Sequence, residues 1–228
     1  MNVVITGAGK GIGFELCKKF LQNPGVHVLA LSRDISKLEI LAKNYTTFHP
    51  FSFDLEKDDI GKIIEQLTLL PGGKTDILIN NAGLLIKKAF KDLNIEDNKR
   101  MLEVNYLAPF KLIQTLLPFF SDQAHVLNIS SMGGFQGSIK FDGLSGYSAS
   151  KAALACLTEC LAGELKENNI KVNCLCLGSV QTEMLEQAFP GFEAPVKPAQ
   201  MADFIVEFAR NTHHYMNGKI IPVTLSTP

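Results

Sequence analysis

The chain is predicted to be α/β, a doubly wound parallel sheet of about seven strands with helices on both faces. Short runs rich in Val, Ile and Leu recur from end to end and are almost continuously apolar, as strands buried on both faces must be. They alternate with longer helical stretches, the pattern of repeated strand–helix–strand units. The first run passes through the glycine-rich turn "TGAGKGIG" directly into a helical stretch. That is how a Rossmann-type unit opens.

In order, strands are expected at "NVVIT" (2–6), "VHVLAL" (26–31), "TTFHPFSF" (46–53), "DILIN" (76–80), "HVLNIS" (125–130), "KVNCLCL" (171–177) and "KIIPV" (219–223). Helices are expected at about 11–22, 34–43, 56–70, 96–120, 145–167 and 198–210. Asp34 is placed to cap the second helix. Pro109 and Pro118 should bend or shorten the fourth. In "GYSASKAAL" (146–154) Ser, Ala and Lys dominate and no residue is β-branched, which favours helix. Right-handed crossovers put helices on both sheet faces. No repeat, low-complexity tract or linker interrupts the pattern, so residues 1–228 are expected to form a single domain.

Composition narrows the function. With 46% apolar and 20% charged residues, the chain can bury a large core. A net charge of −1 gives no basic surface for nucleic acid and no membrane-seeking patch. There is no apolar run of about eighteen residues, and the N-terminus reads as a strand, not a signal peptide. The five cysteines, Cys17, Cys156, Cys160, Cys174 and Cys176, lack framework spacing and read as reduced thiols, so a cytoplasmic location is expected. No His or carboxylate partners suit a metal, and none is expected. His27, His49 and His125 lie in or beside strands and read as packing or solvent-facing groups, and the His213–His214 pair falls in a polar turn.

Gly7, Gly11 and Gly13 give the spacing G-x-x-x-G-x-G, with Ile12 between the last two. Glycines let backbone N–H groups approach a pyrophosphate, and the helix N-terminus behind them adds unpaired amides and a favourable dipole. Gly-Lys-Ser/Thr is missing, so this is not a nucleoside-triphosphate loop. An acidic side chain at the end of the second strand would favour a ribose 2′-hydroxyl. Here Ser32 is followed by Arg33, whose guanidinium suits a 2′-phosphate, and Lys10 stands in the loop opposite. Taken alone these are ordinary surface charges; together they favour NADP(H) over NAD(H).

"TGAGKGIG" (6–13), "NNAG" (80–83), Asn105 in "EVNYLAP", "NISSMGG" (128–134) and "YSASK" (147–151) occur in that order. The sequence therefore resembles the short-chain dehydrogenase/reductase family in its compact single-domain branch, along the whole chain. The resemblance implies that Tyr147 is the general acid/base, that Lys151 lowers its pKa and holds the nicotinamide ribose, and that Ser131 hydrogen-bonds the substrate oxygen. It implies that Asn105 holds a water extending a proton relay from Lys151. Asn81, Ala82 and Gly83 would line the cofactor, Asp54 with Leu55 would meet the adenine, and Val180 and Thr182 would hold the carboxamide near Gly178. Ser130 is the rival for the serine role; Ser131 is preferred because it immediately precedes "MGG".

The sequence departs from the family at Leu177, where proline is usual, and in the sixteen residues from Ser131 to Tyr147, which leave room for a longer loop around 139–143. The substrate loop, about 179–198, should be short. A phenol has a pKa of about 10, and an ammonium one helical turn away favours its ionised form. Phe135, Phe141, Met184 and Phe189 are candidates for an apolar wall, with Lys140 and Asp142 as polar additions. The expected function is hydride transfer between NADP(H) and a small-molecule carbonyl or alcohol substrate of apolar character, and the family resemblance implies a homodimer or homotetramer. The alternatives are a non-catalytic NADP-binding redox sensor or docking module, or epimerisation on the same scaffold.

Overall fold

In the computed structural model of the chain, residues 1–225 are described. Every residue of β1 (Asn2–Thr6) is buried. Val3 and Ile5 turn into one apolar cluster and Val4 into another, so the strand is covered on both faces. The same alternation runs through β2 (His27–Ser32), where Val28 and Ala30 face the first cluster and Leu29 and Leu31 the second.

The remaining strands are β3 (Phe48–Ser52), β4 (Thr75–Asn80), β5 (Phe120–Ser131), β6 (Lys171–Leu177) and β7 (Ile220–Val223). They form one seven-stranded sheet in the order β3-β2-β1-β4-β5-β6-β7, with every neighbouring pair parallel. The chain moves outward from β1 to β3, then returns to lay β4 on the free edge of β1. At such a reversal the connections leave in opposite directions and open a crevice at the carboxyl ends of the strands.

Helices cover both faces. On one, α1 (Gly11–Leu21) and α8 (Pro198–Asn211) pack together through Leu16, Phe20, Ile205 and Phe208. α2 (Ser36–Ala42) adds Leu38 to that side. On the other, α3 (Gly61–Leu67) supplies Ile63 and Leu67, and α5 (Ala108–Leu116) supplies Leu112 and Leu116. Burying each such side chain contributes about 1.5–3 kcal/mol. α4 (Ile95–Leu102) lies against α6 (Ser145–Glu164), with α7 (Glu183–Ala188) in the loop after β6.

Several elements differ from expectation for identifiable reasons. The third helix begins at Gly61, not near 56, because Asp54, Asp58 and Asp59 spend their carboxylates on nearby backbone N–H groups and hold the approach in turns. The expected 96–120 helix is three pieces: α4, a π-helical turn at Glu103–Leu107, and α5, which ends before Pro118. β5 starts earlier than expected, at Phe120, and absorbs Gln123 in a left-handed conformation (φ 62°) where its register with β4 shifts. α7 was not expected at all. Thr182 starts it, its Oγ1 accepting from Leu185 N at 3.3 Å. The excursion that carries α7 is closed at its base by a bridge between Val180 and Val196 and by Gln181 N donating to Val196 O at 2.8 Å.

Candidate active site

The crevice at the β1/β4 reversal has a volume of about 550 Å³ and extends from the turn after β1 to α7. Of the residues singled out in the sequence, Gly7, Lys10, Gly11, Ile12, Arg33, Asp54, Leu55, Asn81, Ala82, Gly83, Ser131, Tyr147, Lys151, Gly178, Val180 and Thr182 line it. Gly13 and Asn105 do not. Gly13 packs beneath the turn against Gly7 and Asn81, and Asn105 lies buried behind Lys151.

The turn after β1 is shaped for close approach. Gly7 has φ +67°, and a Cβ there would sit 2.7 Å from Ala82 Cα, so only glycine lets the two strand ends meet. Thr6 ties them together, its Oγ1 accepting from Asn81 N and Ala82 N at 3.1 and 3.0 Å. Asn81 Nδ2 returns bonds to the carbonyls of Thr6 and Gly7 at 3.0 and 3.2 Å. α1 then begins at Gly11 with no side-chain cap and no acidic residue in its first turn. Its leading amides and positive dipole end border the crevice, which fits the phosphates of a dinucleotide, with the Glu183 carboxylate from the start of α7 close beside Gly11.

At the far end, β5 and α6 bring Ser131, Tyr147 and Lys151 together. Neighbouring serines take opposite jobs. Ser130 Oγ donates to the Lys151 carbonyl at 2.9 Å and anchors α6 to the sheet. Ser131 Oγ accepts from Gly133 N at 3.1 Å and bonds the Tyr147 hydroxyl. The turn Met132–Gly134 presses on α6 so closely that a Cβ on Gly134 would lie 2.6 Å from the Lys151 carbonyl carbon. Gly134 thus fixes the spacing between the serine and the helix.

The electrostatics depart from the sequence expectation that Lys151 lowers the Tyr147 pKa. Burial pushes the Tyr147 phenol above its ordinary value, and the bond from Ser131 opposes this. The ring still touches the open crevice, so its desolvation is partial. The Lys151 ammonium is 3% exposed and donates to the Ile129 carbonyl at 2.8 Å. Burial brings its pKa down to about 8. In this arrangement both groups are penalised for carrying charge, and Ser131 is the side chain that favours a phenolate.

Asn105 is fully buried. Its side chain is engaged with protein: Oδ1 accepts from Leu84 N at 2.8 Å, and Nδ2 donates to Leu84 O and Ser150 Oγ, both at 2.9 Å. It fastens the loop after β4 to α6. The π turn that carries it is followed by Pro109, the fourth residue on, which brings no N–H to the Asn105 carbonyl.

Thr182 faces the crevice while capping α7. Asp54 lines it while holding its own turn, its Oδ1 accepting from Glu56 N at 3.0 Å. Leu177, where the family has proline, lies in β6 and borders the crevice beside Gly178.

Some site residues were not legible. Glu56 lines the crevice near Arg33 and Asp54 and accepts from Arg100 Nε and Nη2 at 2.8 and 3.2 Å, while Arg33 Nη1 lies 3.9 Å away. The Arg100 bonds hold this carboxyl below its ordinary pKa, with smaller help from Arg33. Lys87, from outside the crevice lining, reaches the segment that ends α7, its Nζ 3.8 Å from the Phe189 ring centroid and 3.1 Å from the Ala188 carbonyl. No sequence spacing marks either pair. Among the expected apolar residues, Phe141, Met184 and Phe189 line the crevice, joined by Leu84, Leu85 and Phe192. Phe135 instead turns behind the site onto Ala155, Cys174 and Cys176. Lys140 folds onto its own loop, bonding the Phe135 carbonyl and Ser138 Oγ at 2.7 and 2.6 Å.

All five cysteines are free, and no helix among the described residues is long and apolar enough to cross a membrane.

Residues 1–191 match the short chain dehydrogenase family. The chain is similar to the mouse dehydrogenase/reductase SDR family member 7B, at 33% identity over 80% of this chain and 58% of the mouse protein, so it spans little more than half of that relative's length. It is also similar in structure to a 3-ketoacyl-(acyl-carrier-protein) reductase from Brucella melitensis complexed with NADH, with a TM-score of 0.87 and 26% identity over 97% of this chain and 96% of that one. ElxO with NADP bound has a TM-score of 0.83 and 25% identity over 97% of this chain and 96% of that one. The matching family, the parallel sheet order and the crevice at its reversal lead to one conclusion: the chain belongs to the short-chain dehydrogenase/reductase family.

Proposed function

We propose that the protein is an NADP(H)-dependent oxidoreductase that interconverts an apolar carbonyl compound and its alcohol. One observation carries this reading. A single crevice has two cationic side chains, Lys10 and Arg33, at one end and the Ser131–Tyr147–Lys151 group at the other.

The turn after β1 and the start of α1 would hold the pyrophosphate, and Lys10 and Arg33 would meet a 2′-phosphate. Bound nicotinamide supplies or accepts the hydride at the substrate carbon. The chain's own residues handle the oxygen. Tyr147 donates its proton to the carbonyl oxygen during reduction and recovers one from solvent. Ser131, bonded to Tyr147, is placed to stabilise charge developing on that oxygen. Pro109 brings no N–H to the Asn105 carbonyl, and that oxygen is assigned the water of a proton path from solvent toward Lys151. Phe141, Met184, Phe189 and Phe192 favour an apolar substrate body.

The test is NADPH oxidation against a panel of aldehydes and ketones. Wild type should turn over at least one class, and Tyr147→Phe should bind NADPH yet reduce none. Tight NADPH binding with no turnover by wild type on any carbonyl would favour the sensor alternative.

A further inference from the structure

Three charged side chains from three separate segments stand in a row at the adenine end of the crevice. Arg33 follows β2, Glu56 lies between β3 and α3, and Arg100 sits on α4. Arg100 grips the Glu56 carboxylate with two hydrogen bonds, at 2.8 and 3.2 Å, a fork that fixes the carboxylate plane. Arg33 stands on the other side at 3.9 Å, beyond hydrogen-bond length. The exposures differ in the same sense: the Glu56 side chain is 15% exposed and Arg33 67%. The carboxylate is immobilised, and the guanidinium beside it is held only by charge.

We propose that Glu56 and Arg100 form a selectivity element that sets the ratio of NADPH to NADH binding through Arg33. Resting on the nucleotide reading above, this assigns Arg100 a positioning role at a distance from the nucleotide. The fork engages both carboxylate oxygens and fixes their plane with Oε2 3.9 Å from Arg33, so Arg33 is held short of a closed ion pair and stays available to a 2′-phosphate. The carboxylate that remains lining the crevice tolerates a neutral ribose hydroxyl, from which it can accept a hydrogen bond, but opposes a phosphate carrying nearly two negative charges. Two features of one triad thus act in opposite directions, and each has its own variant.

Glu56→Gln removes the opposing charge. The NADPH:NADH affinity ratio, measured by isothermal titration calorimetry with each nucleotide, should rise about threefold to tenfold. Arg100→Ala releases Glu56 to close on Arg33, and the ratio should fall by a similar factor. In the Glu56→Gln background, Arg100→Ala should change the ratio by less than about twofold, because Arg100 acts through the carboxylate. A merely structural role would move both affinities together and leave the ratio unchanged. Unchanged ratios in both single variants, or an Arg100 effect that persists without Glu56, would overturn the proposal. Failure of wild type to bind either nucleotide would instead refute the cofactor reading on which it rests.

Discussion

Lys151, on α6, donates its ammonium to the carbonyl of Ile129 on β5, 2.8 Å away, in a site that leaves the lysine 3% exposed. A buried cation with one neutral partner costs stability, and its pKa falls to about 8 from 10.5. The unfolded chain holds this proton more tightly, so stability rises with pH between about 8 and 10.5 and is depressed below that window. Lys151→Met should therefore stabilise the nucleotide-free protein at pH 7, by up to about 3 kcal/mol. The gain should shrink above pH 8, and turnover should be lost. Thermal unfolding across pH, paired with activity, checks this; a destabilised variant at pH 7 would contradict it.

The adjacent serines should separate by readout. Ser131→Ala removes the group bonded to Tyr147, and kcat should fall by about tenfold to a thousandfold with little change in unfolding temperature. Ser130→Ala removes a buried bond to the Lys151 carbonyl. It should cost about 1 kcal/mol of stability and affect kcat less. Equal kinetic effects of the two changes would mean that the turn does not orient them as described.

Acid should unfold the protein from the end of the sheet remote from the crevice. His125 is fully buried, with Nδ1 against the Ala209 carbonyl at 2.8 Å and Nε2 facing Asn173 Nδ2 at 3.1 Å. Burial lowers its pKa to about 4, with smaller repulsion from His213 and His214. The unfolded histidine binds protons from about pH 6.5 downward, so stability is lost as pH falls through the window from 6.5 to about 4. The loss from this group should reach about 3 kcal/mol. His125→Asn should flatten the acid limb of an unfolding-temperature profile while lowering stability at pH 7.

Lys87 reaches from the loop after β4 to the end of α7, joining the two walls of the substrate end through the Ala188 carbonyl and the Phe189 ring. A cation over an aromatic face contributes about 0.5–1 kcal/mol at an exposed site. Lys87→Met should raise KM for the carbonyl substrate several-fold and speed proteolysis within 183–192, with Lys87→Arg restoring both. Unchanged proteolysis would show that other contacts hold this segment.

The sheet was legible because both-face burial leaves strands that are apolar at nearly every position, as in "NVVIT" and "KVNCLCL". The glycine turn and the Tyr147–Lys151 spacing were legible because backbone approach and one helical turn constrain residue type locally. The π turn at Asn105 was hidden, since a one-residue offset inside a helical stretch has no residue-type signature of its own. α7 was hidden in a short polar stretch whose helix rests on a single capping threonine. Glu56–Arg100 and Lys87–Ala188 pair residues 44 and 101 positions apart, which no local pattern encodes. The Lys151–Tyr147 electrostatics ran opposite to expectation because charge attraction can be read from spacing, whereas the cost of burial requires the surrounding walls.

Because Val180 and Val196 clasp the two ends of the α7 excursion together, everything between them is attached to the sheet as a detachable cassette. Grafting a different insert of modest length there, with Gln181 and Thr182 kept, would redraw the substrate rim while leaving the nucleotide cradle and the proton-handling residues in place. Evolution or an engineer could retarget the scaffold there without renegotiating the rest of the molecule.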